Sequence, residues 1–238
     1  MSDQPTWVAA LINPYVRTAR LVPGLLLVLG PIALGIGASA SERPGITALR
    51  IATFGIGLPL ALTEWVHRRG QRLQVRVWAK WGGNPVEAML REEGRIARRR
   101  RDALAAATGL PVLDPQHQDF EEAISNAVRQ LITATRDAAQ YPLVFAENKN
   151  YGFARNLFAL RPTGIWISAL SVAIGIALLA ASTRLEELST LGTTLGCMVA
   201  VGAVVFWLFY PSEKRVRATA NDYRDRLLEA LDSSALGT

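Results

Sequence analysis

The sequence predicts an all-α membrane protein: four transmembrane helices arranged as two hairpins, with a helical cytoplasmic domain inserted between them. Three observations carry this. Half of the residues are hydrophobic (50 %), and they gather into four long blocks rather than spreading periodically as in a soluble domain. Short polar turns join the blocks in pairs. Basic residues crowd the amino terminus, the middle and the tail, which the positive-inside rule assigns to the cytoplasm. The expected boundaries are 1–20 for an interfacial helix, 21–66 for the first hairpin, 67–162 for the cytoplasmic domain, 163–210 for the second hairpin and 211–238 for a cytoplasmic carboxy-terminal helix.

In the opening stretch, Trp7, Val8, Leu11, Ile12 and Tyr15 share one helical face, and Asn13-Pro14 bends the chain. Arg17 and Arg20 then flank the first block, Leu21 to Ala40, which carries no charge and is long enough to cross about 30 Å of hydrocarbon. Pro23 is tolerated in its first turn, and Pro31 predicts a kink. A cleaved signal peptide competes with this reading, because Ala38-Ser39-Ala40 has the small-x-small form of a cleavage site. Ser41 to Gly45 is a turn, and Ile46 to Val66 is the second block, with Arg50 and Glu64 near its ends. Arg68 stands four residues after Glu64, a favourable helical pair.

The middle segment reads as a series of helices. Gln71 to Trp81 forms a short one stopped by Gly82-Gly83, and Asn84 caps the next with Pro85 at its first position. That helix kinks or continues at Gly94, and Arg95 to Thr108 forms a third. Asp114 to Gln140 is expected to be the longest soluble helix, with Phe120, Ile124, Val128, Leu131 and Ile132 as a one-sided apolar stripe that needs a partner in this chain or another. Tyr141-Pro142 breaks it, and Leu143 to Leu160 leads to the third block, Pro162 to Thr183. The fourth block, Thr190 to Tyr210, ends in an aromatic belt of Phe206, Trp207, Phe209 and Tyr210. A short internal repeat is also legible: Asn13-Pro14-Tyr15 leads through Arg17 and Arg20 to Pro23-Gly24, and Asn150-Tyr151 leads through Arg155 and Arg161 to Pro162-Thr163-Gly164. Both hairpins would enter from one side, so such a repeat is parallel.

Gly192, Gly196 and Ala200 form one small-residue ridge, and Ala169, Ala173, Ala177 and Ala181 another; such ridges let helix backbones approach closely in lipid. A homo-oligomer is expected from them, although the packing of one hairpin alone would also use them up. Thr47, Thr53, Thr63, Ser168, Ser171, Thr193 and Thr194 are polar span residues that would line a path in a channel and are not needed in a scaffold. The run Arg98, Arg99, Arg100 and Arg101 points around a whole helical turn, which suits a solvated patch meeting anionic lipid headgroups. Glu92, Glu93 and Asp102 dilute that run, so nucleic acid is not expected as a partner. Tyr151, Gly152, Arg155, Arg161 and Pro162 are expected to form a bendable coupling link between the middle domain and the third span.

Catalysis is not expected. The chain has no P-loop, no zinc helix and no nucleophile elbow. Its one cysteine, Cys197, lies in an apolar block, its two histidines, His67 and His117, are far apart in sequence, and Glu121-Glu122 reads simply as an acidic helix start. No cofactor is implied. The strings Trp78-Ala79-Lys80-Trp81-Gly82-Gly83-Asn84-Pro85 and Glu147 to Asn156 resemble segments of uncharacterised bacterial integral membrane proteins with two transmembrane hairpins. The architecture, though no motif, resembles four-span effectors of bacterial antiphage systems. These likenesses imply a multi-pass protein of the bacterial inner membrane, and the basic flanks predict that both termini are cytoplasmic. The expected function is a membrane-embedded effector or channel-like subunit whose helical domain senses a cytosolic protein or small ligand. The alternative is a non-catalytic scaffold that recruits a cytosolic partner through the stripe.

Overall fold

The computed structural model describes residues 13–39, 58–109, 113–182 and 189–232, and among these the regular elements are all helices, without strands. In chain order the helices are α1 (Pro14–Ala38), α2 (Leu58–Trp81), α3 (Pro85–Arg91), α4 (Arg95–Thr108), α5 (Phe120–Ala134), α6 (Pro142–Ser182), α7 (Thr190–Phe209) and α8 (Glu213–Glu229). Helices α1, α6 and α7 are long and apolar enough to cross a membrane. The amino-terminal face up to Ile12, the expected hairpin turns and the second apolar block as far as Gly57 lie outside the described residues.

The chain divides into two compact units, Met1–Leu73 with Gly152–Arg215, and Gln74–Tyr151 with Val216–Thr238. In the first unit, α1 and α7 run antiparallel with their backbones almost touching. A Cβ on Gly37 or Gly192 would overlap the other residue's carbonyl, and one on Gly196 would lie 2.7 Å from both the Ala33 carbonyl oxygen and Leu34 Cα. Ala200 packs at Gly30, and the Ser189 amide donates to the Ala38 carbonyl. The ridge of α7 therefore faces α1. Its buried residues, Thr193, Gly196, Ala200, Ala203 and Trp207, recur at alternating spacings of three and four, one helix face. Helix α6 lies antiparallel to α7, with Gly164 making room for the Trp207 indole and Gly175 set against Cys197. It lies parallel to α1, with Ser171 beside Gly30 and Gly175 beside Leu34. The two halves of the short sequence repeat thus enter helices that run side by side in the same direction.

The outer surface of this unit is apolar. Trp166, Leu170 and Ile176 on α6 and Leu191, Met198 and Phe209 on α7 are more than half exposed. Ser168 and Thr193 are fully buried, the reverse of a water-soluble bundle. Ala169, Ala173 and Ala177 also face outward.

In the second unit one core joins α3, α4, α5, the start of α6 and the end of α8 through Leu90, Leu104, Ile124, Val144 and Leu227. Gly82 and Gly83 take positive φ angles of 84° and 119°, conformations that favour glycine. The Asn84 side chain then accepts the Val86 amide at 3.1 Å, with Pro85 opening α3. Phe120, Ile124, Val128 and Leu131 are buried in this core, while Ile132 is exposed, so the apolar stripe finds its cover within its own unit.

Three helix boundaries differ from the sequence-based expectation. Gln71 to Trp81 is the end of α2 and not a separate helix. Gly70 does not interrupt it, because the space beside Gly70 is filled by the Asn156 side chain. Helix α5 spans 120–134 only. Before it, Asp114 takes the Gln116 and His117 amides on its side chain and carbonyl, and His117 takes the Phe120 amide, all in turns. After it, the Thr135 hydroxyl donates to the Leu131 carbonyl and Asp137 takes the Ala139 amide. Finally, α6 runs unbroken through Pro162. Fully buried Leu157 and Leu160 precede the proline, and buried Gly164 follows it. Packing on both sides outweighs a cost of about 3 kcal/mol for an interior proline.

The contact at Gly196 yields a test. Gly196→Leu should lower the Tm of the purified protein sharply, by separating α1 from α7, whereas Ala173→Leu on the outer face should change the unfolding free energy by no more than about 0.5 kcal/mol and leave Tm close to wild type. Equal Tm values for the two variants would contradict this packing.

Candidate functional site

The first unit gathers polar groups around one end of α1. Asn13 caps that helix through the Tyr15 amide at 2.9 Å, and residues Arg17–Leu21 form a π turn. A π turn displaces the usual hydrogen-bond ladder and recurs at functional positions. The Ala19 carbonyl accepts the Asn156 side-chain amide of α6 at 2.6 Å. Asn156 is fully buried, and its oxygen accepts Arg155 Nε and Nη2 at 3.3 and 3.2 Å. Gly152 lies one turn earlier, where a Cβ would come within 2.7 Å of the Tyr15 hydroxyl and 3.1 Å of Ala19 Cβ. That glycine permits close packing of α6 on α1.

Helix α2 closes the group. Glu64, His67 and Gly70 follow at intervals of three on one face. Glu64 accepts Arg68 Nε at 3.1 Å and lies 4.0 Å from Arg20 Nη1. At the far end, Arg155 reaches the flank of Gly70. His67 stands between them, half-buried, with Nδ1 shielded and without a hydrogen-bond partner. Burial holds the His67 imidazolium below its ordinary range, the charges of Arg20 and Arg155 push the same way, and Glu64 opposes them.

Of the coupling-link residues, Gly152, Arg155, Arg161 and Pro162 lie on this continuous part of α6, and Arg161 Nη2 donates to the Leu208 carbonyl in the last turn of α7 at 2.8 Å. Tyr151 belongs to the second unit and stacks on Tyr223 with ring centroids 6.4 Å apart.

The second unit holds a cleft of about 740 Å³ between the start of α4 and the 113–116 turns, walled by Glu93, Arg95, Arg98, Asp102 and Asp114. Arg98 and Arg99 are exposed and Arg100 half-buried. Arg101 departs from the expected headgroup patch: it is buried, and its Nη1 donates to the Leu90 and Glu92 carbonyls at 2.6 and 3.1 Å. It satisfies carbonyls at the end of α3. Glu121 is more than a helix start. Arg91 grips it through Nε at 2.9 Å to both oxygens and Nη2 at 2.7 Å, which holds the carboxyl below its usual range. Burial, the Asn156 contact and the Arg91–Glu121 pair carry no local sequence signal, since each joins residues remote in the chain.

Compared with protein families, curated proteins and solved structures, the chain matches none.

The His67 environment sets a pH dependence. A histidine whose folded pKa is lowered stabilises the fold fully above its unfolded value, about 6.5, and loses that contribution as pH falls towards the folded value. Tm should therefore drop on acidification below about pH 6.5, and His67→Gln should flatten that part of the profile. An identical acid slope in the variant would assign the sensitivity elsewhere.

Proposed function

We propose that this protein is a membrane-embedded effector or channel-like subunit. It has four spans in two hairpins, both termini on the cytoplasmic side, and a helical domain that senses a cytosolic partner or small ligand and acts on the spans. The observation that carries this reading is α6. One uninterrupted helix supplies Val144 to the core of the second unit and Leu157 and Leu160 to that of the first. On this reading α6 is the route by which the helical domain would act on the spans. The mixed-charge cleft is the candidate sensing surface. The scaffold reading draws less support, because four of the five stripe residues are covered within their own unit.

Topology is tested by labelling sealed cells. In a chain carrying Cys197→Ala, cysteines at Ser41 and Glu187 should react from outside, and one at Arg100 should not. Reaction at Arg100 would reverse the orientation.

Coupling is tested at Asn150, exposed on α6 and next to the boundary between the units. Asn150→Pro removes a helical donor at a cost of about 3 kcal/mol, while Asn150→Ala keeps the helix. Wild type and Asn150→Ala should inhibit growth on overexpression or conduct in liposomes, and Asn150→Pro should insert but lose that activity. Absence of either activity in the wild type would favour the scaffold.

A further inference from the structure

The face of α2 that carries Glu64, His67 and Gly70 covers fewer than two helical turns, about 9 Å. One guanidinium approaches each end: Arg20 lies 4.0 Å from Glu64, and Arg155 flanks Gly70. The only carboxylate in this group is drawn to Arg68 at 3.1 Å, so it neutralises Arg20 weakly. The Arg20 side chain makes no hydrogen bond among the described residues. Its Nε is shielded and unpaired, while its side chain remains 24 % exposed. A guanidinium offers five N–H donors in a fork that fits tetrahedral oxyanions. Arg20 also directly precedes Leu21, where the uncharged stretch of α1 begins, so in a bilayer it stands at headgroup depth.

We infer that Arg20, backed by the charge of Arg155 across His67, holds a phosphate-bearing anion at this end of α1, the phosphodiester of an anionic lipid headgroup being its source. Arg20 makes the contact through its terminal nitrogens, its side chain being 24 % exposed. Buried Arg155, oriented by Asn156, supplies positive potential from beneath. Glu64 faces the same site from α2, 4.0 Å from Arg20 Nη1. The inference rests on the reading that these helices lie in a membrane.

The test measures Tm of the full chain in neutral detergent with added phosphatidylglycerol, phosphatidylcholine or inorganic phosphate. Phosphatidylglycerol should raise Tm, as a ligand of the folded state does, and phosphatidylcholine should not. An equal rise with inorganic phosphate would keep the site and make free phosphate its occupant. Arg20→Gln should abolish the rise. Arg72→Gln, an equal charge change at an exposed position on α2, should keep it. Should Arg20→Gln fail to fold, Arg20→Lys keeps the charge without the fork and should lose most of the rise. An undiminished rise in the Arg20 variants, or equal loss in Arg72→Gln, would overturn the assignment in favour of diffuse surface attraction. Release of the protein from membranes by alkaline carbonate would instead overturn the membrane reading itself.

Discussion

The constraint on which the first unit depends is the near contact of two backbones, Gly37 with Gly192 and Gly196 with Ala33 and Leu34. Lipid chains are as apolar as leucine, so in a membrane burial of apolar surface no longer drives helices together, and packing must do so. Packing gains most where backbones approach closely, and that requires residues without side chains at the crossing. The outward side chains then follow as a consequence. With Gly37, Gly192, Gly196 and Ala200 taken up by the helix contacts, Trp166, Leu170, Leu191 and Phe209 face the surroundings.

A second constraint is polar. Asn156 is buried where α6 meets α1, and burying an amide without partners would cost about 1–3 kcal/mol. It is satisfied from both sides: its nitrogen donates to Ala19, and its oxygen accepts from Arg155. The partnership also fixes the axial position of α6 along α1, because a shift of one turn would strand both the amide and the Ala19 carbonyl. Gly152 and Gly70 complete the fit by leaving room for Tyr15 and Asn156. The basic end of the unit is thus specified by hydrogen bonding, and the opposite end by backbone contact.

These two constraints explain what the sequence disclosed and what it hid. Signals confined to a few neighbouring residues were legible: the Gly82-Gly83 stop, the Asn84-Pro85 start, the small ridge on α7 and the apolar lengths of α1, α6 and α7. Relations between distant residues were not. The ridge on α7 showed that some backbone comes near, but not that α1 supplies it. Nothing beside Asn156 in the sequence points to Ala19, 137 residues away. Arg101 was one of four arginines in a row, and only the fold of α3 distinguishes the one that meets open carbonyls. Pro162 suggested a break because local propensity disfavours proline, whereas the buried residues on either side hold the helix straight through.

The polar residues of the spans bear on how such a protein would act on a membrane. Ser168, Ser171 and Thr193 are buried, but the hydroxyls of Ser171 and Thr193 donate to carbonyls of their own helices, Ile167 and Ser189. Groups satisfied in this way do not offer a file of donors to water or ions. The spaces beside them are filled by Trp207 against Gly164 and by Cys197 against Gly175. A path through the described helices of one chain would have to undo these contacts, and the first to give would be the glycine approaches that hold α1, α6 and α7 together. A path between copies would leave them intact. It would use the outward face of α6, where Ala169, Ala173 and Ala177 alternate with large apolar residues and would let a second helix come close. For the effector reading, this makes assembly the physically cheaper route to a conducting state, with each chain's interior serving as the rigid part.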